Sequence, residues 1–336
     1  ALGGGAGANG AATISSTVEA FTGARHDDVT GPAGTVDIDL SDGGILDIDA
    51  LSNRTATAFA GGISGGAVSV NVLLPSATIT GDTRAYVGAG SQVDAADLDV
   101  QALAPLHKAQ AKAFGVGLSL LGGAQVLESV ADSGGEVEAF IGSGSSVAQL
   151  ADAPDIDVGN AHVSVHADSY VQAIARGDGG GASAGLTLSA ILPSATVSAA
   201  TRAFVRDGVE LDAGGLSITA GGSNADRVVY DADTETIFLS AALIGNVGVI
   251  KGDAKVTGEV EAFLGAPVGV SATNAGTADV DIGTATLSIQ SFSDMDATTD
   301  VLRAGFAGGI DASGLLTTAD VKGTTRAFLL TPVAAQ

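Results

Sequence analysis

With 38 Asp and Glu against 14 Lys and Arg in 336 residues, the chain carries a formal charge of −24. That excess excludes nucleic acid and anionic membrane as partners, since both require a basic surface. There is no cysteine, so disulfide frameworks and thiolate chemistry are excluded too, and 49 glycines with only 4% aromatics leave a thin core of small side chains.

The chain starts at Ala1 and reads as a mature or excised segment; no uninterrupted apolar run reaches the ~18 residues of a membrane-spanning helix. A Gly/Ala-rich opening leads to Val18-Glu19-Ala20-Phe21, and His26, Asp27 and Asp28 then form a polar loop, read as solvated. Two acidic alternating runs follow, Val36-Asp37-Ile38-Asp39-Leu40 and Leu46-Asp47-Ile48-Asp49-Ala50. Residues 67–74 are apolar but broken by Ser69 and Asn71, and they lead to Thr83-Arg84-Ala85-Tyr86. Further acidic runs occur at Asp97-Leu98-Asp99-Val100, Asp155-Ile156-Asp157-Val158 and Asp279-Val280-Asp281-Ile282. Their period of two predicts half-buried strands with an acidic outer face. Residues 106–114 are the best helix candidate, yet they are short and fit a strand better.

One signature recurs six times, ending in Phe21, Tyr86, Phe140, Phe204, Phe263 and Phe328, which lie 65, 54, 64, 59 and 65 residues apart. Two positions before each aromatic stand Glu19, Arg84, Glu138, Arg202, Glu261 and Arg326, in strict alternation. The true repeat is therefore a pair of units. Leu2, Leu121 and Ile244 each stand 17 residues before the Glu of their unit, while Leu73-Leu74-Pro75-Ser76-Ala77-Thr78 matches Ile191-Leu192-Pro193-Ser194-Ala195-Thr196 in the Arg units.

Recurrence at this spacing predicts an all-β, elongated repeat array of the β-solenoid or β-helix kind. It holds six units of about 60 residues in three alternating pairs, with blocks ending near residues 24, 89, 143, 206, 266 and 330. Two or three turns per unit are expected, with Gly and Ala on inward strands letting the sheets approach closely. Stacked β-sandwich-like units are the alternative.

A Gly/Ala-rich apolar strand, then Val68-Ser69-Val70-Asn71-Val72, then Arg84-Ala85-Tyr86-Val87-Gly88, resembles the repeats of leukotoxin-type filamentous adhesins, very large bacterial surface proteins. The resemblance extends over all six units. It implies a β-helical extracellular rod used for adhesion or as a fibre.

Gly5-Ala6-Gly7-Ala8-Asn9-Gly10 has the form of a dinucleotide fingerprint, and Gly62-Ile63-Ser64-Gly65-Gly66 that of a nucleophile elbow. Both chemistries need a helix directly after the motif, and neither stretch has a helical pattern. His162 and His166 on one strand lie about 13 Å apart, too far to share a metal. Asn53-Arg54-Thr55 has the form of a glycosylation sequon. Calcium is the one ligand the acidic runs suggest, through Asp37, Asp39, Asp47, Asp49, Asp97, Asp99, Asp155, Asp157, Asp279 and Asp281, because stacked carboxylates can supply its oxygen shell. Otherwise they are a solvating face, and no cofactor is expected.

If corresponding strands stack, each Glu of the signature faces an Arg on either side, a favourable cross-strand pairing. Glu19 opens the series and Arg326 closes it, so head-to-tail contact between copies would keep the alternation. The expected protein is a non-enzymatic structural subunit or segment of an extracellular or cell-surface filament or adhesin. Its partner is itself, as a head-to-tail homopolymer, with other surface components next. The alternatives are a stalk or surface-layer module of a larger adhesin and, less favoured, a polysaccharide-active β-helix enzyme.

Overall fold

In the computed structural model, residues 3–25, 35–143, 153–221, 228–266 and 278–330 are described; His26, Asp27 and Asp28 lie outside them. Among the described residues the protein is all-β, with 20 strands in one sheet and no helix. Residues 106–114 belong to the long strand Ser91–Ile141. The glycine density and the β-branched alternation leave no stretch with a helix-forming face.

Every strand pairing is parallel, and each joins residues about one sequence unit apart. Thr83–Val87 pairs on one side with Val18–Thr22 and on the other with the end of Ser91–Ile141. Leu186–Val205 lies between that same long strand and the two strands Gly245–Val256 and Glu259–Gly265. Counterpart residues of consecutive units pair directly, so the chain passes each position once per unit. This corrects the two or three turns expected from sequence. A parallel ladder needs a long return connection between its strands, and here each unit supplies it as further strand.

The main core is built from aliphatic columns. Leu98, Val163, Leu216 and Leu287 are successive partners, as are Val100, Val165, Ile218 and Ile289. Alanines fill the interior further along: Ala102, Ala104, Ala109 and Ala111 are all fully buried. Such small side chains let opposite walls come close. A Cβ added to Gly177 would stand 2.6 Å from Cγ2 of Ile191 on the facing wall. Glycine there is a condition of the packing.

From the alanine core the chain runs along residues 58–66, changes direction at the register shift between Gly66 and Val68, and comes back along residues 67–74. A Cβ on Gly62 would stand 3.2 Å from Cδ2 of Leu73, and bends at 184–185, 243–244 and 308–309 mark the same place in later units. A second, smaller apolar cluster of Leu73, Leu127, Ile191, Phe238 and Ile250 lies between these walls. Beyond it, towards the turn, the interior changes character. The buried positions become Ser64, Ser69, Asn71, Gln125, Thr187, Ser240 and Asn246. Asn71 Nδ2 donates across the gap to the Val116 carbonyl at 2.9 Å.

Candidate assembly surfaces

The six signature residues form one column. Glu19 pairs in register with Arg84, Arg84 with Glu138, Glu138 with Arg202, Arg202 with Glu261 and Glu261 with Arg326. Opposite charges meet at every step: Arg84 to Glu19 at 3.9 Å and to Glu138 at 3.3 Å, Arg202 to Glu138 and to Glu261 at 3.5 Å each, and Arg326 to Glu261 at 3.4 Å.

A second row of acids, overlooked in the sequence, completes the shell. Arg84 also reaches Asp82 at 2.8 Å and Glu136 at 3.2 Å, and Arg202 reaches Glu136 at 3.2 Å and Glu259 at 2.9 Å. Burial alone would lower both guanidinium pKa values, but these carboxylates, Glu138 foremost, outweigh it and hold them above the ordinary value.

Two residues on, the aromatics stack. Phe21, Tyr86, Phe140, Phe204, Phe263 and Phe328 have successive ring centroids 5.0, 4.7, 5.0, 4.7 and 5.1 Å apart, with planes within 5° of parallel. The strand spacing dictates this offset stack. The four middle rings are buried and Phe21 is exposed.

On the outer face the acidic runs stack as well. Asp39, Asp94, Asp157, Asp212 and Asp281 are successive partners, and beside them run Asp37, Gln92, Asp155, Glu210 and Asp279. Asp47 pairs with Asp99, Asp97 with Ile45, and Asp49 with Gln101. Asp157 and Asp281 each accept a hydrogen bond at 2.9 Å from the backbone N–H two residues on, at Gly159 and Gly283, which closes a turn. Burial first, then the Asp99 and Asp47 charges, raise the Asp49 carboxyl above its usual range. Among the described residues, no three His, Asp or Glu side chains converge as a metal-binding group.

At a corner where the register shifts, between Leu51 and Asn53 on one strand and Ala104 and His107 on the next, a polar cluster is sealed inside. His107 Nε2 lies 2.9 Å from Ser52 Oγ and 3.3 Å from Arg54 Nη1. Arg54 also donates to the Gly81 and Asp82 carbonyls, each at 2.8 Å. Burial, then the Arg54 charge, push the His107 pKa down to about 4. This cluster was invisible in the sequence, where Arg54 stands in a sequon and His107 beside Lys108.

The outside of the narrow end, where the outgoing and returning walls meet, is apolar. Ile63, Leu118, Leu239 and Phe306 face solvent on the outgoing wall, while Val68, Val70, Leu186, Leu188 and Val247 face it on the returning wall. In Leu186–Val205 the alternation thus puts leucine outside and Thr187 inside.

The motif look-alikes are strand. Gly5 and Gly7 of the fingerprint-like stretch lie in the strand Gly3–Ala8 and Gly10 in the short link to the next strand, Ala11–Ser15, while the elbow-like Ser64 is buried within Val36–Leu73. His162 is exposed and His166 half-buried on His162–Ser183. No protein family, curated protein or solved structure matches the chain.

Proposed function

We propose that the protein is a structural segment of an extracellular, cell-surface fibre or adhesin, folded as a parallel β-solenoid of one turn per unit. The observation that supports this best is repetition without a break: the Glu/Arg and aromatic columns pass through all six sequence units. A catalytic site needs one place where the pattern is interrupted and open to substrate. The sealed corner at His107 is interrupted but closed to solvent.

Six strands at ordinary spacing reach only about 25–30 Å along the stacking axis, so a fibre needs many more units. Among the described strands, Val18–Thr22 and Thr324–Leu330 each pair on one side only, and a free parallel edge is a template for another strand. In the head-to-tail arrangement the Arg326 edge of one copy takes the Glu19 edge of the next, which continues both columns. The resemblance to very large adhesins supports the surface location. It also supports a second reading, in which further units of one polypeptide cover these edges and the segment is a stalk.

Electron microscopy of the purified protein, over a range of salt and Ca²⁺, tests the self-assembling form. Filaments with an axial repeat near 30 Å are expected. Dispersed monomers under all conditions would contradict it, and an encoding frame far longer than this segment would then favour the stalk.

A further inference from the structure

The narrow end is built inside out relative to a globular domain. Its buried positions are Ser64, Ser69, Asn71, Gln125, Thr187 and Asn246, and several of their polar atoms, including both ends of the Gln125 amide and Asn71 Oδ1, have no protein hydrogen-bond partner. Its large exposed side chains are mostly Ile, Leu, Val and Phe. Residues 61–74, 114–127, 179–192 and 236–250 contain no charged side chain. The walls therefore meet over an interior that supplies little apolar burial, while the apolar surface that could supply it lies outside, uncovered.

We infer that the outgoing wall of the narrow end docks a second copy of this chain, wall against wall. Relief on that wall supports it. Leu118 and Phe306 flank Ala182 and Ala241 in one column, with Gly65 beyond Leu118. The small residues floor a groove of about 670 Å³ that extends to the turn at Leu120 and Leu243. A neighbouring groove of about 450 Å³ runs between Leu239 and Val116 over Gly180. Knobs and hollows alternate on one surface, so a two-fold axis can set the Leu118 of each copy into the Ala182–Ala241 hollow of the other.

The half-exposed side chains offer apolar area on the order of the ~800 Å² per partner of a standard interface, above the ~300–600 Å² of the largest patch on a typical monomer. Charge allows the approach despite the net −24. In the inner units charged residues such as Lys112, Asp178 and Glu235 begin at least five residues back from the turn, roughly 17 Å along the strand and about twice the Debye length at physiological salt. In the last unit Arg303 and Asp311 neutralise each other as an ion pair at 2.8 Å. Copies that overlap only their narrow ends, pointing in opposite directions, keep their acidic faces apart. A bilayer suits the surface less well: the narrow end has neither a Trp nor a Tyr for the interface, and open sheet edges would meet hydrocarbon.

Analytical ultracentrifugation of the full chain tests the docking. A dimer is expected by about 10 µM, and Leu239→Glu should weaken it at least 100-fold, while Leu51→Glu, at an exposed leucine away from the narrow end, leaves it intact. Unchanged circular dichroism in both variants shows that the fold survives. Wall-to-wall pairing closes at two copies, whereas strand addition at the edges grows without limit, so failure of either is seen separately. A monomer up to about 100 µM, or an open-ended series indifferent to Leu239→Glu, would overturn the inference. So would a monomer that floats with phosphatidylcholine vesicles and loses them on Leu239→Glu, which would assign the wall to lipid.

Discussion

The carboxylate of Glu138, fully buried, lies 3.5 Å from Nη1 of Arg202 and is held from its other side by Arg84 at 3.3 Å. An uncompensated charge at this depth would be costly, so alternation along the column is a requirement of the stack. A run of like residues would put the same charge on adjacent strands about 4.8 Å apart.

Reversing one charge should therefore be severe. Arg202→Glu places a third carboxylate between Glu138 and Glu261 and leaves Glu138 with one cation. Loss of about 3–5 kcal/mol is expected, the range for removing one partner of a buried pair. Urea denaturation reads it as a lowered midpoint; an unchanged midpoint would mean that the column does not hold the units together.

The aromatic column predicts a contrast between positions. Phe204 has a ring on either side and is buried, whereas Phe21 has one neighbour and is exposed. Phe204→Ala should cost about 3–5 kcal/mol and Phe21→Ala less than about 1 kcal/mol. Equal losses in thermal denaturation would show that the rings are not stacked in this order.

These columns were legible because their residues recur at one spacing. Glu, Arg and aromatic keep fixed places in each unit, and any parallel stacking in register must bring them together. What stayed hidden depends on which face points inward. Gly185-Leu186-Thr187-Leu188 alternates equally well in either sense, and a shift of one residue exchanges the faces. Hydropathy alone would put leucine inside, whereas Thr187 is the buried residue. His107 was hidden for a related reason, since its burial arises at a register shift between Ala104 and His107 that no local pattern announces.

His107 gives a pH dependence of defined sign. Its pKa is about 4 in the folded protein and near 6.5 when unfolded. Between those values the unfolded chain binds a proton that the folded protein excludes, so stability falls as pH drops from about 6.5 towards 4 and this contribution levels off below. The full effect is on the order of 3 kcal/mol. His107→Gln should remove this part of the slope. Parallel pH profiles for wild type and variant would show that the imidazole is not buried beside Arg54.

The outer Asp column makes the opposite demand on solvent. Asp94, Asp157, Asp212 and Asp281 stack like charge on like, which costs a few tenths of a kcal/mol per neighbour. Asp212→Asn, which accepts no cap in its own turn, should raise thermal stability slightly at low salt. The gain should shrink as ionic strength rises and the Debye length contracts. A destabilised Asp212→Asn at low salt would show that the carboxylates are held by something other than their neighbours, such as a bound cation.

The in-register stacking of units can be measured directly, because the chain has no cysteine of its own. Glu210 pairs with Asp279, whereas Asp281 lies two residues further along the same strand. Parallel neighbours lie within disulfide reach, and partners displaced by two residues on the same face do not. With Glu210→Cys and Asp279→Cys together, mild oxidation should close an intramolecular disulfide, detected by mass spectrometry, while Glu210→Cys with Asp281→Cys should stay reduced. Closure of the displaced pair, or of neither, would contradict the stacking on which the columns, and the fibre built from them, depend.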